Sequence, residues 1–243
     1  MTGRHTETDS HRSGAMNIAV IDLEPGASEV GGDTALGVAL DAAGAMRDTT
    51  VTLIAIGPPR IDPALRTAIG LGANRAIRIW EPSLEPITTT TAAKLAVAAM
   101  DRLPVIVLCS PVSESSLLQG TPGAIAAHLD CPYVEQVHGV ARTDAGEPWL
   151  LRRNADNLVV DGGAVGRVAS VIDPGYVSIS RIMDDPVPHV EVRRPEELGV
   201  SADCCVEIEH HQVDTTSIEA TDASAGSAPR LVEMFYSCGM VTE

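Results

Sequence analysis

The side chains best suited to covalent or metal chemistry in this sequence are its cysteines, and their spacing favours neither use. No two form a C-x-x-C pair; they stand at Cys109, Cys131, Cys204, Cys205 and Cys238. The adjacent Cys204 and Cys205 are too close for an ordinary disulfide, and with nearby His210 and His211 they fit none of the usual zinc spacings. We therefore predict free thiols in a reducing cytoplasm and no metal site.

The sequence also lacks the motifs of common enzyme active sites. It has no G-x-G-x-x-G at a strand exit, no P-loop, no G-x-S-x-G and no H-E-x-x-H. The isolated histidines His128, His138 and His189 are typical of surface positions or of buried positions with satisfied partners. The residues alone favour a binding protein, and we predict no catalytic residue.

Composition narrows the class of partner. The formal net charge is −16, from 33 acidic and 17 basic residues, and aromatic residues make up only 2% of the chain. Nucleic-acid binding draws on clustered Lys and Arg and on aromatic stacking platforms, so we expect no nucleic-acid partner. No apolar stretch approaches the roughly 20 residues that a membrane-spanning helix needs, and no signal peptide is recognisable. We expect a cytoplasmic protein with no direct membrane insertion.

The apolar pattern alternates between strands and helices, which predicts an α/β fold. Predicted strands cover residues 16–23, 50–57, 75–80 and 104–110, and predicted helices cover residues 31–46, 58–72, 88–103 and 119–130. Such alternation gives a doubly wound, mainly parallel sheet with helices on both faces. Ligands of these sheets bind at the carboxyl ends of strands, so the loops after Asp22, Ile56 and Cys109 are the candidate binding loops.

The two ends of the sequence differ from this central part in composition and in hydrophobic pattern. Residues 1–15 are polar and aperiodic, so we predict a disordered N-terminus. After residue 132 the pieces become shorter and strand-like, which predicts a β-rich C-terminal part. The small-residue linker 222–228 precedes a short apolar segment, which predicts an extended tail packed on a neighbouring surface.

Three blocks of the sequence follow the motifs of one protein family. Residues 57–77 (GPPRIDPALRTAIGLGANRAI) fit G-P-x-x-x-x-x-x-[LI]-R-x-A-[LI]-x-x-G-A-[DN]-x-[AG]-[IV] at Gly57, Pro58, Leu65, Arg66, Ala68, Ile69, Gly72, Ala73, Asn74 and Ile77. Residues 121–132 (TPGAIAAHLDCP) fit T-G-Q-x-x-x-x-x-L-x-x-P at Thr121, Leu129 and Pro132. Residues 174–200 fit a third motif at Pro174, Tyr176, Ser178, Ile182, Met183, Leu198, Gly199 and Val200. Over most of residues 16–200 the chain thus resembles the electron transfer flavoprotein beta subunits.

The resemblance implies an electron carrier with an adenine nucleotide alpha hydrolase-like fold. Members of that family pair with an alpha subunit that holds most of the FAD. The pair takes electrons from a flavin-dependent dehydrogenase, for example one that oxidises methylated amines, and passes them to a quinone reductase or respiratory chain. The beta subunit holds AMP, or a second FAD in some relatives. The implied organisation is an α/β nucleotide-binding domain over residues 16–200 and a C-terminal arm, 201–243, that packs on the partner subunit.

The resemblance also implies binding positions. Those for the nucleotide are Ile21, Gly31, Gly32, Asp33, Ile56, Gly57, Ser110, Gln119, Gly120, Thr121 and Gly123. Backbone amides of the Gly-rich turn 120–123 can bind a phosphate at a helix start, with the Thr121 hydroxyl donating. The implied docking loop, residues 173–188, presents an aliphatic anchor at Ile179, with Tyr176, Ile182 and Met183 on the flanking motif.

Departures from the family pattern leave the ligand open. Pro122 and Gly123 replace the Gly-Gln of the second motif, and Gly31-Gly32-Asp33 replaces an Asn-Pro-aromatic sequence. AMP, FAD and no nucleotide remain alternatives. A stand-alone adenine-nucleotide-binding regulatory module remains the alternative function.

Overall fold

The computed structural model contains one nine-stranded mixed sheet within the residues that it describes. These are residues 16–23, 34–46, 48–101, 104, 106–112, 116, 118–143, 147–154, 157–163, 166–172 and 189–201. The strands are β1 (Met16–Asp22), β2 (Thr49–Ile56), β3 (Arg75–Ile79), β4 (Ile106–Cys109), β5 (Tyr133–Arg142), β6 (Pro148–Asn154), β7 (Asn157–Gly163), β8 (Arg167–Val171) and β9 (Glu191–Arg193). The helices are α1 (Thr34–Ala45), α2 (Asp62–Gly70), α3 (Thr89–Ala98) and α4 (Thr121–His128).

The strand order in the sheet is β7-β6-β5-β8-β4-β1-β2-β3-β9. Every neighbouring pair from β5 to β9 in this order is parallel, whereas β6 is antiparallel to both β5 and β7. The predicted doubly wound, mainly parallel α/β fold is therefore confirmed. The β-rich part after residue 132 joins the same sheet, because β8 lies between β4 and β5.

Strand pleating sorts the apolar side chains into two cores, one on each face of the sheet. In β1, Ile18 and Val20 belong to the core packed under α1 and α2, and Ala19 and Ile21 belong to the core packed under α3 and α4. Successive side chains of a strand point to opposite faces, so a strand that is apolar throughout contributes to both cores. This explains why the predicted strands are nearly continuous aliphatic runs.

Local signals set most of the helix boundaries. Pro63 lies in the first turn of α2, and the Thr88 hydroxyl caps α3 by accepting from Thr91 N at 3.3 Å. Gly72 ends the α2 segment with φ +122°, a backbone conformation that disfavours a side chain. Three helices are shorter than predicted: α2 runs from Asp62 to Gly70, α3 ends at Ala98, and α4 runs only from Thr121 to His128.

The short strand β9, which the sequence pattern does not predict, is held at the sheet edge by charged side chains. Arg75 at the start of β3 pairs with Asp101 at 2.7 Å and with Glu191 on β9. Arg193 on β9 pairs with Asp101 at 2.9 Å and with Glu191 at 2.6 Å. Hydrogen bonds from Arg193 and Arg75 lower the pKa of Asp101. Since the four groups come from three separate segments, no local sequence pattern predicts that they contact one another.

A side chain of the first family motif joins α2 to the sheet. Asn74 Oδ1 accepts a hydrogen bond from Val51 N at 2.7 Å, and Asn74 N donates to Val51 O at 2.9 Å. Asn74 thus satisfies both the N–H and the C=O of Val51 on β2, just before β3 begins. These two hydrogen bonds hold the exit from the α2 segment against the sheet.

We expect Asn74→Ala to lower the free energy of unfolding by about 1–2 kcal/mol, because it removes the acceptor of Val51 N–H. Urea denaturation of the full chain measures this change. The matched control is Arg66→Ala, an exposed position of the same motif, which should change stability by less than about 0.5 kcal/mol. Equal effects of the two substitutions would contradict the assignment.

Candidate functional site

The carboxyl edge of the sheet forms a crevice where β1 and β4 lie side by side. The chain leaves β1 for α1 on one face and leaves β4 for α4 on the other face. Ser110, just after β4, donates its backbone N–H to Ile21 O at 2.9 Å, so the two strand ends are joined at the floor. A ligand of a doubly wound sheet binds at such a switch point.

Polar side chains that are buried in the described part of the chain concentrate at this edge. They are Asp22, Arg78, Thr91, Ser110 and Thr121. Each one stands at the carboxyl end of a strand or in the first turn of α3 or α4. Because burying a polar group costs free energy, their collection at one edge marks it as the candidate functional site.

Two buried threonines occupy similar positions in the first turns of α3 and α4, with different partners. Thr91 is fully buried, and its hydroxyl lies 3.0 Å from the Thr88 hydroxyl. Thr121 is also fully buried, but its Oγ1 has no hydrogen-bond partner among the described residues. The Thr121 hydroxyl therefore has a hydrogen-bonding capacity that the described residues do not use.

Glycines in the turn before and within α4 keep this region compact. A Cβ on Gly120 would lie 3.3 Å from Thr89 Cγ2, so the absent side chain lets the α4 start approach the α3 start. Gly123 faces the ring of Tyr133, whose hydroxyl donates to Ser170 Oγ at 3.1 Å. Burial raises the pKa of Tyr133, so its phenol remains a donor at neutral pH.

The predicted nucleotide-binding residues occupy different parts of this edge. Ile21 and Ile56 are buried on the face covered by α3 and α4, and Gly57 N donates to Ile79 O at 3.1 Å beside them. Ser110 lies on the crevice floor. The turn of Gln119 and Gly120 is exposed, and Thr121 and Gly123 form the first turn of α4.

Several predicted residues lie outside the described residues, and their roles stay predictions. These are Gly31, Gly32 and Asp33 near the start of α1, the docking positions Tyr176, Ile179, Ile182 and Met183, and the Cys204, Cys205, His210 and His211 group.

Sequence reasoning missed Asp22, Thr88 and Thr91 as members of this edge. Asp22 closes the apolar run of β1 and is only 7% exposed. An acid at the end of an apolar strand is a visible signal, but its burial depends on the neighbouring strand and helix. The threonine run before α3 signals a cap, yet its proximity to α4 is a tertiary fact.

An ion pair fixes α2 at the carboxyl edge. Arg78 Nε on β3 lies 2.7 Å from Asp62 Oδ1, at the first residue of α2. The Arg78 side chain is 9% exposed and that of Asp62 is 21% exposed. Separating the two groups would leave a buried charge uncompensated, so the ion pair holds the start of α2 against β3.

The described cysteines behave as predicted. Cys109 and Cys131 are free thiols. Burial raises the pKa of the Cys109 thiol, which therefore stays protonated and packs as a small apolar group. In the described ranges no group of three or more His, Cys, Asp or Glu side chains is placed to hold a metal ion, and no helix has the length and apolarity to cross a membrane.

A cavity of about 460 Å³ opens at the opposite, amino edge of the sheet. Its lining includes Asn17, Thr50, Met100 and the ion pair of Arg75 with Asp101. Asn17 Oδ1 accepts a hydrogen bond from Thr50, and Arg75 and Asp101 are paired with each other, so these polar groups of the lining are already engaged within the protein. We assign the candidate function to the carboxyl edge, where the buried polar side chains of the described residues collect, and not to this cavity.

The residues at the carboxyl edge fit a phosphate group. The start of α4 offers the positive end of the helix dipole and the buried Thr121 hydroxyl. Its backbone contributes less than the sequence suggests, because the Thr121 N–H is donated to Leu118 O at 2.9 Å and Pro122 has no N–H. The turn needs no charged side chain to hold a single phosphate.

Comparisons with known proteins agree with this architecture. A family model described as the electron transfer flavoprotein domain matches residues 34–185, more than half of the chain. A curated relative, the electron transfer flavoprotein subunit beta of Methylophilus methylotrophus, is 21% identical over 162 residues. That alignment covers 64% of this chain and 61% of the relative, so the chain spans less than two thirds of the relative's length.

We expect Thr121→Val to leave the stability of the ligand-free chain unchanged or to raise it by about 1 kcal/mol, because valine removes a buried hydroxyl that has no described partner. Thr91→Val is the matched control. It should lower stability by about 1 kcal/mol, since it breaks the contact with Thr88. Thermal or urea unfolding of both variants measures the difference, and a clear loss of stability in Thr121→Val would contradict the free hydroxyl.

Proposed function

The chain belongs to the electron transfer flavoprotein family, and from that premise we propose that it is the beta-type subunit of a heterodimeric electron transfer flavoprotein. Its similarity to a named beta subunit, at 21% identity, marks it as a divergent member. The proposed partner is an alpha subunit that holds most of the FAD. The C-terminal arm, 201–243, packs on that partner.

The proposed role is electron transport in the cytoplasm between two redox partners. A flavin-dependent dehydrogenase, such as one that oxidises methylated amines, supplies the electrons. A quinone reductase or the respiratory chain receives them. FAD supplies the redox chemistry when bound, because its ring accepts and releases electrons singly or in pairs. This chain's own residues bind the nucleotide, help to position the flavin and dock with the redox partners.

The nucleotide of this subunit, AMP or a second FAD, is proposed to bind in the carboxyl-edge crevice. The observation that carries this assignment is the collection of buried polar side chains around the β1–β4 junction. The Thr121 hydroxyl and the Gly123 N–H, in the first α4 turn, would hold a phosphate, since Pro122 has no N–H and the N–H groups of Thr121 and Ala124 are donated to Leu118 O and Gly120 O. Ile21 and Ile56 would supply an apolar surface for the rest of the ligand.

Co-expression with a candidate alpha subunit tests the heterodimer. We expect the two chains to purify together as a yellow complex, and denaturation followed by mass spectrometry to release FAD and an adenine nucleotide. A colourless, stable monomer that binds ATP would instead support a stand-alone nucleotide-binding regulatory module and would contradict the electron-carrier proposal.

We expect Ile179→Ala to leave the flavin content intact and to slow electron transfer from the cognate dehydrogenase by about tenfold or more, because a truncated docking anchor commonly costs 2 kcal/mol or more. Stopped-flow kinetics at sub-saturating partner measure the rate. Val192→Ala, at a half-exposed aliphatic residue of β9, is the control and should have little effect. Unchanged transfer in Ile179→Ala would remove the anchor role.

A further inference from the structure

The cavity at the amino edge of the sheet lies where α3 ends short of its predicted length. In each strand every second side chain points towards α3 and α4. The first two such positions are Asn17 and Ala19 in β1, and Thr50 and Thr52 in β2. Because α3 ends at Ala98, it does not cover them, and a cavity of about 460 Å³ remains between the sheet and the end of the helix.

The rows of side chains across the sheet change from polar to apolar inside this cavity. Asn17 pairs in register with Thr50. In the next row, Thr52 pairs with Ala19 on one side and with Arg75 of β3 on the other. The row after that consists of isoleucines, which belong to the buried core under α3. The small alanine in the middle row leaves space next to the polar groups.

The cavity therefore has an apolar inner end and a polar mouth. Ile54 and Ala99 line the inner end, and each is 1% exposed. At the mouth, the Thr52 hydroxyl and the Asn17 Nδ2 group have hydrogen-bonding capacity that the described residues do not use. Together they can donate to a carbonyl oxygen and accept from an N–H or O–H group. An apolar pocket of about 300–1,000 Å³ with a few convergent polar groups is typical of small-molecule sites.

The charged groups at the mouth balance one another. Arg75 pairs with Asp101 at 2.7 Å. The same two residues also pair with Glu191 and Arg193 of β9, so the cluster contains two positive and two negative charges. A charged ligand gains no net attraction there unless it displaces one of these partners, whereas an uncharged ligand leaves the cluster intact. The net charge of −16 further disfavours an anion.

We propose that this cavity is a second binding site, for an uncharged small molecule that carries an amide or hydroxyl group on an apolar ring. The ring contacts Ile54 and Ala99, and the polar group forms hydrogen bonds with Thr52 and Asn17. The inference does not rest on the proposed electron-carrier function, because the nucleotide of that function is assigned to the opposite edge of the sheet.

Benzamide, benzoate and benzylamine test the proposal, because they have similar shapes and are neutral, negative and positive at neutral pH. Each is titrated into the isotopically labelled full-length chain, and NMR follows the backbone amide signals of Ala19, Thr52 and Met100, which line the cavity. We expect benzamide to shift these signals with a Kd of about 1–10 mM, the range for a ligand of this size. The two charged probes should bind at least tenfold more weakly.

Thr52→Val keeps the shape of the side chain and removes its hydroxyl, so it should weaken benzamide binding by about threefold or more. The matched control is Thr67→Val. Thr67 is exposed on α2, which packs on the other face of the sheet, and its hydroxyl donates to Pro63 O at 3.0 Å. This variant should keep the wild-type affinity. If Thr52→Val does not fold, the comparison of the three probes on the wild-type chain still decides the matter.

The second site would be overturned by any of three results: no saturable shift with benzamide, equal affinity for the three probes, or unchanged affinity in Thr52→Val. Excess AMP should leave benzamide binding unaltered, and competition between the two would also overturn a separate site. Failure of the chain to bind AMP would count against the nucleotide site at the carboxyl edge and would leave the site at the amino edge standing.

Discussion

The adjacency of β1 and β4 is the constraint on which the rest of this molecule depends. Two crossovers carry the chain outward from β1 to β2 and β3, and the third returns past β1 to β4. Since crossovers between parallel strands are right-handed, reversing their direction moves the helices to the other face. The two cores, the opposed starts of α1 and α4, and the crevice between them all follow from this one reversal.

The same constraint explains where the molecule buries polar groups at a cost in stability. Elsewhere the described interior is aliphatic, with Ile, Leu, Val and Ala filling both cores. At the crevice it buries a carboxylate, serine and threonine hydroxyls, and a guanidinium. A chain selected for stability alone would place apolar groups there. Departures from local rules of this kind are expected at functional sites.

Much of the fold can be predicted from the sequence, because its signals are local. The four aliphatic runs predict β1 to β4, Pro63 and Thr88 mark helix starts, and Gly72 marks a helix end. The resemblance fixes the register of the family motifs along the chain. It places Ile21 and Ser110 at strand ends, where the structure also has them. It gives no account of Asp22, whose burial exists only once β4 lies beside β1. The acceptor role of Asn74 likewise depends on which β2 amide is left open beside it.

The parts that escape prediction are those fixed by contacts between distant segments. Val190-Glu191-Val192-Arg193 alternates apolar and charged residues, but the run is too short to predict a strand, and its place in the sheet comes from Arg75 and Asp101 on other elements. The shortened α3 and α4 are a related case. The apolar pattern continues beyond both helices, but tertiary packing and not periodicity sets where the backbone leaves the helix.

The short length of β9 also limits the addition of further strands at this edge of the sheet. A further strand added at β9 would find only three residues of ladder, of which two carry charges already engaged in ion pairs and one, Val192, is half exposed. Short, charged edges resist pairing with another chain's backbone. On this side the molecule is closed to strand addition, so a protein that approaches it must recognise side chains and not main-chain hydrogen bonds.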